Sequence, residues 1–150
     1  MNRSKFILIA AALAGLSAAP AFAAGDESIT ARQACMKAQG KAVFGGFFPI
    51  LKGEAAYDAA AIKAGFDAMD AACKDFAIFW TDDAQTGTIP TKAKPEIWTD
   101  KDGFKAAGGK AFEAMTALRG AADEASFKAA LPAVADGCNG CHEKFRLPMK

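Results

Sequence analysis

The stretch Cys138-Asn139-Gly140-Cys141-His142 lies near the end of the 150-residue chain and contains its only histidine. A Cys-x-x-Cys-His sequence indicates covalent attachment of a c-type haem, in which both thiols form thioethers with the vinyl groups and the histidine binds iron. On a helix, these three side chains stand at i, i+3 and i+4 and therefore share one face. The pentapeptide predicts one covalent haem c per chain, with Cys138 and Cys141 as its anchors and His142 as an iron ligand.

Two other interpretations of the pentapeptide fit the chain less well. A structural zinc site needs four ligands, usually from two cysteine pairs, and the remaining cysteines, Cys35 and Cys73, are far apart in the sequence. A thioredoxin-like redox motif needs a βαβ context, and runs typical of strands are nearly absent. Haem attachment is therefore the favoured prediction.

The N-terminus has the pattern of a secretory signal. Arg3 and Lys5 precede an apolar run over residues 6–16, and Ala21-Phe22-Ala23 forms a small-x-small cleavage site. A membrane anchor is the alternative, but the run is short, Pro20 follows it, and no later stretch is long enough to span a bilayer. We expect cleavage after Ala23 and export to the periplasm.

Cleavage divides the chain into a signal peptide, residues 1–23, and a mature domain, residues 24–150, with no membrane span. Loss of two basic residues with the signal changes the formal charge from +1 to −1. A nearly neutral domain does not indicate binding to nucleic acid or to an anionic membrane surface. The oxidising periplasm permits a disulfide, and Cys35 with Cys73 is the only pair left after haem attachment.

Four segments of the mature chain show the 3.6-residue apolar period of helices. The long connection over residues 82–98 is rich in polar residues, glycine and proline, and we expect it to pack across the haem end. The predicted helices run from about Ser28 to Leu51, from after Asp58 to Trp80, from Asp100 to Arg119, and from Ser126 to Arg146.

Together these helices predict an all-α fold, an antiparallel four-helix bundle with covalent haem on its C-terminal helix. Cys35 and Cys73 are about equally far from the turn between the first two helices, so they lie at a similar height. This placement permits a disulfide. Two small buried thiols are the alternative.

An exported bundle with the haem motif on its last helix resembles the class II cytochromes c, which comprise the cytochromes c′ and their low-spin relatives. The resemblance covers essentially the whole mature chain. It rests on segments that occur in the family's order and spacing: 32-RQACMK-37, 52-KGE-54, 57-YDAA-60, 94-KPEIW-98 and 138-CNGCHEKFR-146.

The resemblance implies that His142 is the proximal ligand and that Met36 lies over the opposite haem face. In cytochromes c′ that position is often apolar and the iron is five-coordinate, whereas in the low-spin relatives a methionine there binds iron. With one histidine in the chain, a second imidazole ligand is impossible, and a thioether is the natural soft sixth ligand. Met69 and Met115 fall on core stripes, so Met36 is the candidate for ligation, with core packing as its alternative.

Two arginines flank the predicted ligands. Arg32 precedes Met36 by one helical turn, so it could pair with a haem propionate or line the distal side. The alternative is a solvated arginine on the first helix. Arg146 follows His142 by one turn, and the resemblance supports a place beside the proximal face; completion of a helix C-terminus is the alternative. Five aromatic residues either wall the haem or pack as ordinary core: Phe79, Trp80, Trp98, Phe104 and Phe145.

The chain is not predicted to be an enzyme, because it has no second histidine for general base catalysis and no recognisable nucleophile constellation. The first hypothesis is a one-electron carrier, with iron held by His142 and Met36, that serves redox partner proteins. The second is a five-coordinate haem protein that binds nitric oxide or carbon monoxide, and the third is a redox subunit of a membrane assembly. The resemblance implies a homodimer through the first two helices for cytochromes c′ and a monomer for the low-spin relatives.

Overall fold

The computed structural model describes residues 25–149, and the predicted signal peptide lies outside the described residues. Two short 3₁₀ turns, Phe76–Ile78 and Asp82–Gln85, lie in the connection after α3. The helices are α1 (Asp26–Ala42), a π-helical turn (Val43–Phe47), α2 (Phe48–Lys52), α3 (Ala59–Ala72), α4 (Glu96–Thr99), α5 (Lys101–Arg119) and α6 (Glu124–Phe145).

The long helices form two hairpins that assemble into the bundle. The first hairpin packs α1, extended by α2, against α3, and the second packs α5 against α6. Within the described range, the only β pairing is an isolated antiparallel bridge between Ala93 and Arg146. The prediction of an all-α four-helix bundle is confirmed.

The first helix begins at Asp26, two residues before the predicted start, and extends to Lys52, one residue beyond the predicted end. Pro49 lacks an N–H group, and its ring would collide with a carbonyl of the preceding turn in a regular α-helix. The wider π-helical turn over Val43–Phe47 comes just before it and interrupts the regular ladder there. Gly53, with a φ of 74°, ends the helix in the left-handed conformation.

The second helix is shorter than predicted, because α3 ends at Ala72 instead of continuing to Trp80. Apolar residues continue at helical spacing beyond this point, so the periodicity alone cannot locate the end. Cys73 is the residue after the helix, and its disulfide to Cys35 fixes the chain there, with the two Cα atoms 4.7 Å apart. The expected disulfide is therefore present.

The third helix follows the prediction, with Asp100 as its N-cap and Arg119 as its last residue. The apolar pattern of this segment predicts that Phe112 faces inward, and this prediction is wrong, since 73% of its surface is exposed. Its neighbour Ala111 is half-buried. Successive residues of an α-helix are rotated by about 100° about its axis, so the two side chains face different directions. Leu118 is the buried residue that this helix contributes to the core.

The last helix is capped by Asp123 and not by Ser126 as predicted. The Asp123 carboxylate accepts a hydrogen bond from the Ser126 amide at 2.8 Å. In return, the Ser126 hydroxyl oxygen accepts a hydrogen bond from the Asp123 amide at 3.2 Å. This reciprocal pair is a capping box, which places the helix start two residues earlier. The helix continues through Pro132 to Phe145.

Most of the buried apolar side chains form two clusters, and the haem motif contacts both. Cys138 packs against the larger cluster and Cys141 against the smaller. The smaller contains Ala84, Ile97, Trp98 and Phe145. The larger contains Ala42, Val43, Phe47, Ile50, Ile62, Phe66, Met69, Leu118, Phe127, Leu131 and Val134.

None of the helices between residues 25 and 149 combines the length and apolar character that a membrane crossing requires.

Replacing Cys73 by Ala should lower the free energy of unfolding by about 2–4 kcal/mol, because the disulfide closes a loop that restricts the unfolded chain. Urea denaturation of the oxidised protein measures this. Addition of a dithiol reductant to the unsubstituted protein should reproduce the loss, while the Cys73→Ala variant should not respond. Peptide mapping that finds Cys35 and Cys73 freely alkylated would contradict the prediction.

Candidate haem-binding site

The end of α6 holds Cys138, Cys141 and His142 on one face, and all three side chains are half-buried. The backbone around them is well anchored. The Arg146 amide donates to the His142 carbonyl at 3.0 Å, which closes the last turn. The Lys94 ammonium donates to the carbonyls of Glu143 and Lys144 at 3.2 and 3.1 Å, so it supplies partners that a helix C-terminus otherwise lacks.

Burial sets the protonation of the three groups. It raises the pKa of the Cys138 thiol, and burial together with the neighbouring Cys138 raises the pKa of Cys141. Burial, and then the charge of Arg146, lowers the pKa of His142. At neutral pH the site therefore presents two protonated thiols and one neutral imidazole. Protonated thiols are poor redox nucleophiles, and neutral imidazole is the form that binds a metal.

Arg146 lies on the same side of α6 as His142. Both line a cavity of about 280 Å³, together with Lys94, Asn139, Glu143, Leu147 and Pro148. The backbone of Arg146 is extended and pairs with Ala93, so its place is fixed by the connection between α3 and α5 as well as by α6. Its contact with the haem stays a prediction.

Met36 differs from the other methionines that the sequence analysis considered. Its surface is 38% exposed, although Cys35 beside it is fully buried. Met69 is buried in the larger cluster and Met115 packs against it, as predicted for core residues. Met36 is therefore less buried than Met69, and its side chain is partly accessible on α1. Ligation of iron by this residue stays a prediction.

Arg32 is not solvated, since only 3% of its surface is exposed. One guanidinium nitrogen, Nη1, donates to the carbonyls of Phe79 and Ala84 at 3.1 and 2.9 Å, and Nη2 donates to Thr91 Oγ1 at 2.9 Å. Burial lowers the pKa of Arg32, but its ordinary value is so high that the group stays cationic. The sequence could not reveal these partners, because they lie 47 to 59 residues away. Pairing of the remaining donors with a propionate stays a prediction.

The five aromatic residues singled out in the sequence lie next to one another beside Cys141. Ring centroids are 4.8 Å apart for Trp80 and Phe104, and 5.2 Å apart for Phe104 and Phe145. Trp80 also contacts Trp98 and Phe79, and the Arg32 guanidinium lies over both indole rings at 5.3 and 5.7 Å. They pack chiefly on one another, in and around the smaller cluster, at the edge of the haem motif.

The donor set fits haem c better than a metal centre built from protein ligands alone. Between residues 25 and 149, no three His, Cys, Asp or Glu side chains come together as a metal-binding group. Haem iron takes four ligands from the porphyrin and requires only an axial imidazole from the protein. Cys138 and Cys141 would supply two thioether anchors and His142 that imidazole, and these roles stay predictions.

A family model described as Cytochrome C' matches residues 27–146. A cytochrome c' from Rhodopseudomonas palustris is 36% identical over 124 residues, which are 82% of this chain and 84% of that protein. A cytochrome c-556 from Agrobacterium fabrum is 32% identical over 134 residues, which are 88% of each chain.

Solved structures show the same similarity. The crystal structure of cytochrome c' from Rubrivivax gelatinosus has a TM-score of 0.72 at 30% identity, and the match covers 82% of this chain and 96% of that chain. A nitric oxide complex of a cytochrome c prime variant from Alcaligenes xylosoxidans has a TM-score of 0.70 at 30% identity, with coverage of 85% and 99%.

The unsubstituted exported protein should retain the mass of one haem after denaturation, because two thioethers hold the group covalently. Replacing both Cys138 and Cys141 by Ser should abolish this retention, and either single replacement should weaken it. Mass spectrometry of the denatured proteins is the measurement, and the Cys73→Ala variant is the control that should keep the haem. A haem-free mass for the unsubstituted exported protein would contradict the assignment.

Proposed function

The chain belongs to the cytochrome c′ family, whose members bind covalent haem c, and from that premise we propose that it binds nitric oxide or carbon monoxide at its haem iron. In this proposal Cys138 and Cys141 hold the haem through thioethers and His142 binds the iron from the proximal side. The bound haem supplies an iron atom that accepts a diatomic gas in the ferrous state. Met36 lies over the distal side and limits access to it.

The gas-binding proposal is supported first by the related structures. Two solved structures of cytochrome c prime variants from Alcaligenes xylosoxidans contain nitric oxide, and both resemble this chain over 85% of its length. The observation in this chain that carries the proposal is Met36, a partly exposed residue of α1 that has a thioether where a second imidazole is absent. A flexible, apolar thioether can move aside for a diatomic gas more readily than an imidazole can.

One-electron transfer is the second candidate function. It is favoured by the methionine at position 36, because a thioether can serve as a sixth ligand of haem iron. Cytochromes c-556 from two Agrobacterium species are 32% identical to this chain. If Met36 binds iron opposite His142, methionine/histidine ligation raises the reduction potential. The partners would then be redox proteins, and small gases would be excluded until the thioether leaves.

We propose further that the protein acts in the periplasm, with residues 1–23 removed and residues 24–150 forming the mature domain. The Cys35–Cys73 disulfide supports this location, because such bonds persist in oxidising compartments. A homodimer through the first two long helices is also proposed. Phe44, 49% exposed and stacked on Phe48 at 5.4 Å, gives the first helix an apolar surface for such a contact.

The optical spectrum of the ferrous protein decides between the two candidate functions. Five-coordinate high-spin iron should give a broad merged band and bind carbon monoxide at once. Met36→Ala should then bind carbon monoxide faster, because a side chain over the open coordination position has been removed. Stopped-flow mixing with carbon monoxide measures both rates.

Met69→Ala is the matched control, because Met69 is buried in the larger cluster. This variant should lose about 2–5 kcal/mol of stability and leave the carbon monoxide rate unchanged. A sharp, resolved α band in the unsubstituted protein, with no carbon monoxide binding until Met36 is replaced, would contradict gas binding. That result would make electron transfer the leading function.

A further inference from the structure

The connection from α3 to α5 is held at two places, and we call residues 79–95 the strap. One part of the strap is hydrogen-bonded to α1, the helix that carries Met36. Another part is hydrogen-bonded to the end of α6, the helix that carries His142. Neither set of contacts could be inferred from the sequence, because each joins residues more than forty positions apart.

The first attachment to α1 is a buried carboxylate. Asp26 is 1% exposed, and its Oδ1 accepts hydrogen bonds from the amides of Thr88 and Ile89 at 2.7 and 3.2 Å. Its Oδ2 accepts from the Thr88 hydroxyl at 2.6 Å. The contact is close, because a Cβ atom at Gly87 would lie 2.3 Å from Asp26 Oδ1.

The second attachment to α1 is Arg32, whose guanidinium donates to two carbonyls and one hydroxyl of the strap. Gln33 adds a hydrogen bond from its Nε2 to the Pro90 carbonyl at 2.8 Å. At the start of the helix, a Cβ atom at Gly25 would lie 2.3 Å from the carbonyl oxygens of Asp83 and Thr86. The strap is therefore packed directly on the first two turns of α1.

The attachment to α6 immediately follows the haem motif. The Lys94 amide donates to the Phe145 carbonyl at 3.0 Å, and the Leu147 amide donates to the Lys92 carbonyl at 2.8 Å. The Lys94 side chain adds its two bonds to carbonyls of the last turn. These bonds begin one residue after His142.

The two attachments are separated by very little chain. Thr91 is bound to Arg32, and Lys94 is bound to Phe145. Three residues of extended chain span at most about 11 Å. The start of α1 and the end of α6 therefore cannot move apart unless one set of hydrogen bonds breaks.

Burying a carboxylate and a guanidinium is a costly way to hold a loop, since apolar packing would give comparable stability without their desolvation. Directed hydrogen bonds, unlike apolar contacts, define one position along the helix. We propose that the strap fixes the separation of Met36 and His142, with Asp26 and Arg32 as positioning residues that control how easily a gas reaches the iron. This inference rests on the gas-binding function proposed above.

Amide hydrogen exchange of the haem-loaded protein tests the mechanical part of the proposal. Asp26→Ala should expose the Thr88 and Ile89 amides directly. It should also speed exchange about tenfold at the Lys94 and Leu147 amides, which Asp26 does not touch, because the two attachments support each other. Asp123→Ala removes the cap at the other end of α6 and serves as the control, with each variant measured at the urea concentration that gives both the same free energy of unfolding.

Carbon monoxide association to the ferrous protein tests the functional part. Asp26→Ala should raise the association rate about tenfold, because α1 and its Met36 are released from the distal side. Asp26→Asn keeps an oxygen that accepts from both strap amides and should restore most of the original rate. If the iron instead proves six-coordinate, Asp26→Ala should convert part of the low-spin spectrum to high-spin, and Asp26→Asn should not.

The two measurements distinguish a wrong proposal about the strap from a wrong proposal about gas binding. Failure of the unsubstituted protein to bind carbon monoxide would refute gas binding, and the exchange rates and spin state would still judge the strap. Unchanged exchange at Lys94 and Leu147 overturns the strap as a link between the helices. An association rate and spin state that change no more in Asp26→Ala than in Asp123→Ala overturn its control of the site.

Discussion

The structure depends on the placement of two thiols and one imidazole on a single face at the end of α6. A flat, rigid cofactor attached at Cys138 and Cys141 and ligated by His142, as we propose, would have no freedom relative to that helix. Every other feature of the site must therefore be brought to α6 by the fold. The bundle does this by placing the motif between two separate buried clusters, with one cysteine against each.

The two clusters contribute in different ways. The larger is almost entirely apolar and joins both hairpins, so it accounts for most of the stability that area burial can supply. The smaller contains few aliphatic residues and lies against the buried Arg32, which also holds the strap. Hydrogen bonds to buried charges define positions more narrowly than apolar contacts do, at some cost in stability. At the end of the bundle that carries the haem motif, hydrogen bonds to buried charges therefore define the positions of the side chains. The opposite end contributes mainly to the stability of the fold.

The features that could be predicted from the sequence are those that depend on neighbouring residues, and the features that were missed depend on contacts between residues far apart in the chain. Local periodicity predicted the four helices, and the symmetry of a hairpin about its turn made the Cys35–Cys73 disulfide one of two alternatives, which the structure confirms. The motif of fixed spacing predicts the haem-binding residues. The end of α3 was missed because Phe76, Phe79 and Trp80 continue the helical spacing after the helix has stopped. For Arg32, the alternative of a solvated side chain was wrong, because the residue is buried. For Asp26, the sequence contained no pattern that predicts its burial. Their partners are strap carbonyls, amides and hydroxyls, and the sequence carries no pattern for them.

In the proposed site, His142 is the protein's one ligand to the iron, and Met36 limits access on the other side. Resonance Raman spectroscopy of the ferrous haem-loaded protein distinguishes this site from a six-coordinate one, because an iron–histidine stretching band is characteristic of five-coordinate high-spin haem. We expect this band in the unsubstituted protein and in Met36→Ala. A low-spin, six-coordinate spectrum that acquires the band only when Met36 is replaced would contradict the proposal.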